Sequence, residues 1–225
     1  MLFRSIAHSQ QKAITFMAKW DENLAGSSMH IHLSLWDKES GSSAFKGDKK
    51  FGKLHTSDNF RWFLGGLLKY SQELTACFAP LVASYKRYQS GSFAPTSIAW
   101  SRDNRTAGMR VVGNGNSLRV ESRIPGADAN PYIVYAAAIA AGLKGIQDRI
   151  EPSPPFEGDI YQAESLTRVP SNLRDSIALF ENSDFAEEAL GKEVKEHYLH
   201  FLKTEQRKFD FVVTDWEKSR FFERI

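Results

Sequence analysis

The stretch Gly26-Ser27-Ser28-Met29-His30-Ile31-His32-Leu33-Ser34-Leu35-Trp36 alternates polar with apolar residues. A second stretch, Arg119-Val120-Glu121-Ser122-Arg123, places three charged residues at alternate positions. Side chains two apart on a strand share a face. Both stretches therefore predict half-buried strands. His30, His32 and Ser34 share the polar face of the first strand.

The polar faces of these strands carry groups that bulk water does not require. The first face carries two imidazoles, and the second holds the Glu121 carboxylate between the guanidinium groups of Arg119 and Arg123. Such groups suit a metal ion and a polyanion. The alternative is a pair of amphipathic strands facing solvent, because H-x-H alone is a weak signal.

Arginine is concentrated in the middle of a chain that is nearly neutral as a whole. The 225 residues carry a net charge of +2, which gives no reason to expect nucleic-acid or membrane binding. Between residues 85 and 123, seven bases face two acids, and six of the seven bases are arginine. Arginine binds carboxylate and phosphate through paired hydrogen bonds. The segment predicts an anion site, with a solvated basic face as the alternative.

Bulk composition is that of an ordinary globular protein, with 42% hydrophobic residues and no clear domain boundary. The single cysteine, Cys77, allows no internal disulfide framework, which fits a cytoplasmic protein. No apolar run reaches the length of a membrane span, and no signal-peptide pattern is present.

Local signals predict most of the regular structure in the first half. A short helix is predicted over residues 5–13 and a strand over residues 14–18. Residues 37–53, rich in Gly, Ser and Lys, predict an exposed loop. Ser57 or Asp58 can cap a helix that runs to about Phe78.

The second half is predicted to contain one hairpin and several helices. A turn at residues 113–116 predicts a hairpin that brings Arg110 close to Arg119. Asn130 and Pro131 open a helix that is apolar nearly all round, which predicts burial on most sides. Caps at Asn172 and Ser183 predict further helices. Aromatic and apolar residues of the tail are predicted to pack on the domain or to meet another subunit: Phe209, Phe211, Val212, Trp216, Phe221 and Phe222.

Four ordered blocks resemble the glutamine synthetase superfamily, in the C-terminal part of its catalytic domain. The blocks are residues 26–34, Ser84-Tyr85-Lys86-Arg87, residues 94–110, and residues 119–123 running into Ala129-Asn130-Pro131-Tyr132. The resemblance extends over essentially all of residues 1–225. It implies an α+β fold with a curved, mainly antiparallel sheet backed by helices. It also implies that the N-terminal small domain and the first part of the catalytic domain are absent, and that full-length relatives form ring-shaped homo-oligomers.

The resemblance further implies an activity. Members of this superfamily use ATP to join the γ-carboxyl of glutamate to ammonia or an amine, through a γ-glutamyl phosphate. The implied ligands of Mg²⁺ or Mn²⁺ are His30 and Glu121. The implied nucleotide contacts are His32, Ser34, Arg110 and Arg119. The implied contacts to glutamate and its γ-phosphate are Gly26, Arg87, Arg105 and Arg123, with Arg105 also catalytic.

The chain departs from the family pattern in two respects. Phe93 stands where ammonia-using members carry a glutamate that takes a proton from the nucleophile, and Ala25 replaces an asparagine. Only 29 residues precede His30, and Glu22 is the only glutamate among them, whereas the family draws several metal-binding glutamates from this region. The first departure favours a ligase that uses an alkyl amine, as in the polyamine and ethanolamine branch. Glutamine synthetase proper and a non-catalytic fragment or interaction piece are the alternatives.

Overall fold

The computed structural model describes residues 2–224. Six strands form a four-stranded sheet and a separate hairpin. The strands are β1 Ile31–Leu33, β2 Lys49–Phe51, β3 Leu54–Thr56, β4 Trp100–Arg102, β5 Met109–Val112 and β6 Arg119–Ser122. The larger sheet has the order β1-β6-β5-β4, and β2 pairs with β3. All pairings are antiparallel except β4 with β5, which confirms a mainly antiparallel sheet.

Nine α-helices and two short 3-10 helices, Gly115–Ser117 and Ile160–Gln162, lie in the described part of the chain. The α-helices are α1 Leu2–Ser9, α2 Asp58–Tyr70, α3 Thr75–Phe78, α4 Val82–Tyr85, α5 Pro131–Gln147, α6 Leu173–Glu181, α7 Asp184–Leu190, α8 Lys192–Asp210 and α9 Asp215–Phe221. Residues 2–224 contain no helix with both the length and the apolar character that crossing a membrane requires.

Helix starts follow the capping residues that the sequence offers. The Ser57 side chain accepts a hydrogen bond from the Phe60 amide, and the Asn130 side chain accepts one from the Tyr132 amide. Each cap satisfies a backbone donor that the helix itself leaves without a partner. Asn172 and Ser183 cap α6 and α7 in the same way, so these predicted starts are confirmed.

The core lies between one face of the sheet and helices α2 and α5. The sheet contributes Ile31, Val111 and Val120, which are almost completely buried. Leu118 and Ile124 are buried as well, so the predicted apolar face of the second strand is confirmed. Because side chains alternate along a strand, burying this face places His32, Arg110 and Glu121 on the opposite face of β1, β5 and β6.

Helices α2 and α5 pack backbone against backbone through glycines. A Cβ added at Gly145 would lie 2.1 Å from the Trp62 carbonyl oxygen, and one added at Gly66 would lie 2.1 Å from that of Ala141. Side chains at either position would force the two helices apart.

The rings of Phe60 and Phe63 pack against Phe45, with ring centroids 5.3 and 5.2 Å away.

We expect the substitution Gly145→Ala to destabilise the protein by about 1–3 kcal/mol, because an over-packed interface must open. The sign is diagnostic, since glycine to alanine within a helix is otherwise stabilising by about 1 kcal/mol. Urea denaturation of the variant and the parent measures the difference. A variant more stable than its parent would contradict this account of the helix contact.

Several local predictions are wrong. Residues 14–18 form no strand, and no strand partner lies beside them among residues 2–224. The predicted loop over residues 37–53 contains β2 and the fully buried Phe45. The predicted helix from Ser57 to Phe78 ends at Tyr70 and resumes as α3, because the Ser71 and Thr75 hydroxyls bond backbone carbonyls and compete with the helix ladder.

Two predictions about burial are also wrong. Helix α5 buries one face only, and its outward face exposes Tyr132, Tyr135, Ile139 and Leu143. Helix α9 has no buried residue, so the interpretation that the tail packs on the domain is wrong for this helix, although the Phe209 ring of α8 lies 6.0 Å from Lys86 Nζ. The exposed residues of the tail are Phe209, Phe211, Val212, Trp216, Phe221 and Phe222.

Candidate functional site

Three strands place a row of polar side chains across the sheet. In the register of the sheet, Glu121 lies opposite His32 of β1 on one side and opposite Arg110 of β5 on the other. The predicted hairpin of β5 and β6 is confirmed, with its connection over residues 113–118. Its register sets Arg110 against Glu121, and sets Arg119 against Val112. Residues far apart in sequence thereby meet at one carboxylate.

The Glu121 carboxylate is buried and surrounded by nitrogen donors. Its Oε1 lies 3.1 Å from His30 Nδ1, 3.5 Å from Arg123 Nη1 and 3.8 Å from His32 Nε2. Its Oε2 lies 3.1 Å from Arg110 Nη1. Burial alone would raise the pKa of Glu121, but the hydrogen bond from Arg110 and the charge of Arg123 lower it below the usual value. The carboxylate is therefore ionised at neutral pH.

The arginines of this cluster have further partners. Arg119 Nε donates to His32 Nδ1 at 3.2 Å, and Arg110 also pairs with the Asp103 carboxylate. Burial opposes a rise in the pKa of Arg110, yet its bonds to Asp103 and Glu121 raise it. Burial lowers the pKa of His30, and the neighbouring charge of Arg123 lowers it further, which favours the neutral imidazole.

A second pair of predicted residues lies beside the cluster. Arg87 is almost completely buried; its Nη1 donates to Ser28 Oγ at 2.9 Å and its Nη2 donates to the Ile124 carbonyl. A Cβ at Gly26 would lie 2.7 Å from Arg87 Cγ, so a glycine is needed where the chain passes this side chain. The structure thus brings Gly26 and Arg87 together.

Two of the predicted site residues lie apart from the Glu121 cluster. Ser34 is exposed and accepts a hydrogen bond from Trp36 Nε1 at 3.0 Å. Arg105 is exposed, has no hydrogen-bonded or ion-paired partner in the described part of the chain, and lines a cavity of about 600 Å³. Asp103 lines the same cavity and pairs with Arg110, so it links the cavity wall to the cluster.

The cluster has more positive than negative groups. Arg110 and Arg123 contact Glu121 directly, and Arg110 also contacts Asp103; Arg119 joins the cluster through His32, and Arg87 lies beside it through Ser28. The buried Nε atoms of Arg87, Arg110 and Arg123 have no hydrogen-bond partner within residues 2–224. Buried donors without partners are costly, so the arrangement favours an anionic ligand.

A divalent metal would find too few ligands here. His30 and Glu121 offer one imidazole and one carboxylate, a set that suits Mn²⁺ better than Mg²⁺. Both Glu121 oxygens already contact arginine, and residues 2–224 contain no group of three His, Cys, Asp or Glu side chains that could hold an ion. The residues present do not by themselves make a metal site.

Two contributors to the site were not predicted from the sequence. The Asp103 carboxylate pairs with Arg110, and the Tyr161 hydroxyl donates to the Ala94 carbonyl at 2.8 Å, next to Phe93. Asp103 stood out only as a rare acid in a basic segment. Nothing in the local sequence around Tyr161 indicates that it reaches this site.

Comparison with known proteins identifies the family. Residues 1–221 match the sequence profile described as "Glutamine synthetase, catalytic domain". The chain belongs to the glutamine synthetase family. Its α+β fold is shared with solved structures of GmaS, among them the form without ligand, with a TM-score of 0.87 and 31% identity over 98% of this chain and 50% of that one.

Curated relatives include enzymes named for amines and enzymes named for glutamine. The γ-glutamylethanolamide synthetase GlnA4 of Streptomyces coelicolor is 46% identical over 99% of this chain and 46% of its own length. The glutamate–isopropylamine ligase of Pseudomonas sp is 34% identical, and the glutamine synthetase of Thermotoga maritima is 35% identical. The chain therefore spans about half the length of the curated relatives it matches.

Proposed function

We propose that this chain is the phosphate-binding part of an ATP-dependent ligase that joins the γ-carboxyl of glutamate to an amine. The observation that carries the proposal is the convergence of Arg110 and Arg123 on Glu121, each with a buried Nε that has no hydrogen-bond partner within residues 2–224. Family membership supports the same assignment. The proposal includes its boundaries, with residues 1–225 as the C-terminal portion of the catalytic domain.

The proposed reaction has two steps. In the first, a γ-carboxylate oxygen of glutamate bonds to the terminal phosphorus of ATP, and the bond from that phosphorus to ADP breaks. In the second, the amine nitrogen bonds to the acyl carbon, phosphate leaves with the electrons of the C–O bond, and the nitrogen passes a proton to the departing phosphate. Phosphoryl transfer depends mainly on positioning and on neutralising the moving negative charge.

The arginines supply that neutralisation. Arg123 and Arg105 are assigned to the γ-phosphoryl group, and Arg110 and Arg119 to the nucleotide phosphates, with His32 and Ser34 beside them. Gly26 and Arg87 are assigned to glutamate; Nη1 and Nη2 of Arg87 each donate one hydrogen bond within the protein, and its buried Nε has no partner within residues 2–224. His30 and Glu121 are assigned to Mg²⁺ or Mn²⁺, whose remaining ligands must come from outside the described residues.

Phe93 supports an amine rather than ammonia as the nucleophile. Its ring is 73% exposed, and its carbonyl accepts a hydrogen bond from Arg123 Nη2 at 3.1 Å. A phenyl ring accepts no proton, but it can contact the alkyl part of an amine and, face on, an ammonium group. Two relatives named above carry an alkyl amine in their names.

We expect phosphate release that depends on glutamate, ATP and an amine, and that is faster with ethanolamine or isopropylamine than with ammonia. The measurement uses a version extended to full length, a longer protein that contains this chain and also the half of the relatives' length that it does not cover. The 225-residue chain is assayed in parallel. A strong preference for ammonia over every alkyl amine would contradict the assignment of an alkyl amine as the nucleophile. Phe93→Glu is the matched variant, because it restores a proton acceptor and should shift preference toward ammonia.

A non-catalytic role is favoured for the isolated chain by one observation, the lack of a three-ligand metal group in residues 2–224. Two ligands rarely hold Mg²⁺ without help. Titration with ATP and Mn²⁺ tests whether the arginines form a working phosphate site, because a ligand that binds the folded state raises the melting temperature. No thermal shift would contradict the ligase role of this chain. A homo-oligomeric ring and a cytoplasmic location remain predictions.

A further inference from the structure

The loop of residues 89–95 reaches the Glu121 cluster in a strained conformation. Phe93 has φ of +62°, in the left-handed region that residues with a side chain rarely adopt, and Gly91 has φ of +75°. The Phe93 ring is exposed, so its own packing does not hold this conformation. A strained residue persists only when its surroundings fix it.

Two donors fix the loop through consecutive carbonyl groups. Arg123 Nη2 donates to the Phe93 oxygen at 3.1 Å, and the Tyr161 hydroxyl donates to the Ala94 oxygen at 2.8 Å. Within its own turn, the Ser92 hydroxyl lies 2.6 Å from the Gln89 carbonyl oxygen and 2.8 Å from that of Arg87. The loop is therefore tied to the site by one arginine side chain, Arg123, and by one tyrosine.

The two donors differ in how many other groups compete for them. Arg123 also lies 3.5 Å from Glu121 Oε1 and 3.4 Å from His30 Nδ1, and an anion would attract its guanidinium more strongly than a neutral carbonyl does. Within residues 2–224, the acceptor for the Tyr161 hydroxyl is the Ala94 carbonyl, and no ion pair competes for this donor. Burial raises the pKa of Tyr161, so its hydroxyl keeps its proton at neutral pH.

We propose that Tyr161 is a positioning residue that holds residues 93 and 94 in place when Arg123 turns to an anionic ligand. This proposal has two parts. The effect of Tyr161 on amine selection rests on the proposed function, because it assumes that Phe93 contacts the nucleophile. The mechanical part, that the Tyr161 hydroxyl restrains the loop, does not depend on the proposed function.

The mechanical part is tested on the 225-residue chain by hydrogen exchange. Tyr161→Phe removes one oxygen, and we expect backbone amides of residues 89–94 to exchange about five- to tenfold faster, as loss of one hydrogen bond predicts. The matched control is Tyr198→Phe, because the Tyr198 hydroxyl donates to the Ala76 carbonyl at 3.3 Å, away from this loop. Unchanged exchange in the Tyr161 variant would overturn the inference.

The selectivity part is tested in the version extended to full length. For Tyr161→Phe we expect KM for the amine to rise about five- to tenfold, with KM for ATP unchanged, because only the loop is released. An equal change in both KM values would indicate a general structural role and overturn it. If the parent turns over no amine, the proposed function fails, and hydrogen exchange alone still decides whether Tyr161 holds the loop.

Discussion

The substitution Glu121→Gln is expected to lower the free energy of unfolding by about 3–5 kcal/mol, since removing one partner of a buried ion pair leaves the other charges uncompensated. The side chain of Glu121 is 5% exposed, and Arg110 and Arg123 both contact it. Glutamine keeps the volume and removes only the charge. Urea denaturation followed by circular dichroism measures the loss.

An added polyanion should recover part of this loss. ATP or tripolyphosphate can neutralise the arginines that Glu121 no longer serves, and any ligand that binds only the folded state stabilises it. The matched control is Glu157→Gln, because Glu157 is 83% exposed and lies 4.0 Å from Lys53, an arrangement worth about 0–1 kcal/mol. Equal, small effects for the two variants would show that the cluster is not a buried charge network.

Arg105→Ala should reduce phosphate release by about 10²–10³-fold in the version extended to full length, the usual effect of removing one donor to a developing anion. The melting temperature should be unchanged, because Arg105 is exposed and has no partner in the described part of the chain. Steady-state kinetics and thermal denaturation of the same preparation measure both quantities.

The control for this variant is Arg174→Ala, another exposed arginine, which pairs with Asp210 far from the cluster in sequence. We expect its phosphate release to equal that of the parent. Normal turnover by Arg105→Ala would contradict the catalytic role, whatever the fate of the other arginines. A fall in melting temperature would mean that Arg105 contributes to folding.

Local signals predicted the features of the fold that local interactions determine. The caps at Ser57 and Asn130 are confirmed because a capping side chain bonds amides only two or three residues away. The hairpin of β5 and β6 is also confirmed, because a short connection joins two strands that are neighbours in the sequence. Alternation of side chains also predicted one polar face on each of the two strands, and the resemblance to the family implied that His30 and Glu121 meet; β1 pairs with β6 and sets His32 opposite Glu121, and His30 lies 3.1 Å from Glu121.

Features that depend on distant partners could not be predicted in this way. Phe45 is buried because the rings of α2 pack on it, and nothing in the polar sequence around it indicates this. Helix α5 is apolar nearly all round, so its sequence did not indicate which face would pack against α2. Likewise, the contact of Tyr161 with Ala94 joins segments 67 residues apart, and no pattern in either segment encodes it.

The close contact of α2 with α5 has a practical consequence for redesign. Helix α5 begins at Pro131, shortly after Arg123 in the sequence, so the segment that carries this arginine runs into the helix that makes the glycine-mediated contact. By contrast, residues 89–95 form a loop. Libraries intended to change which nucleophile is accepted should therefore diversify residues 89–95 and leave the strands unchanged. Substitutions in the loop alter the shape of the site without disturbing the packing of the helices.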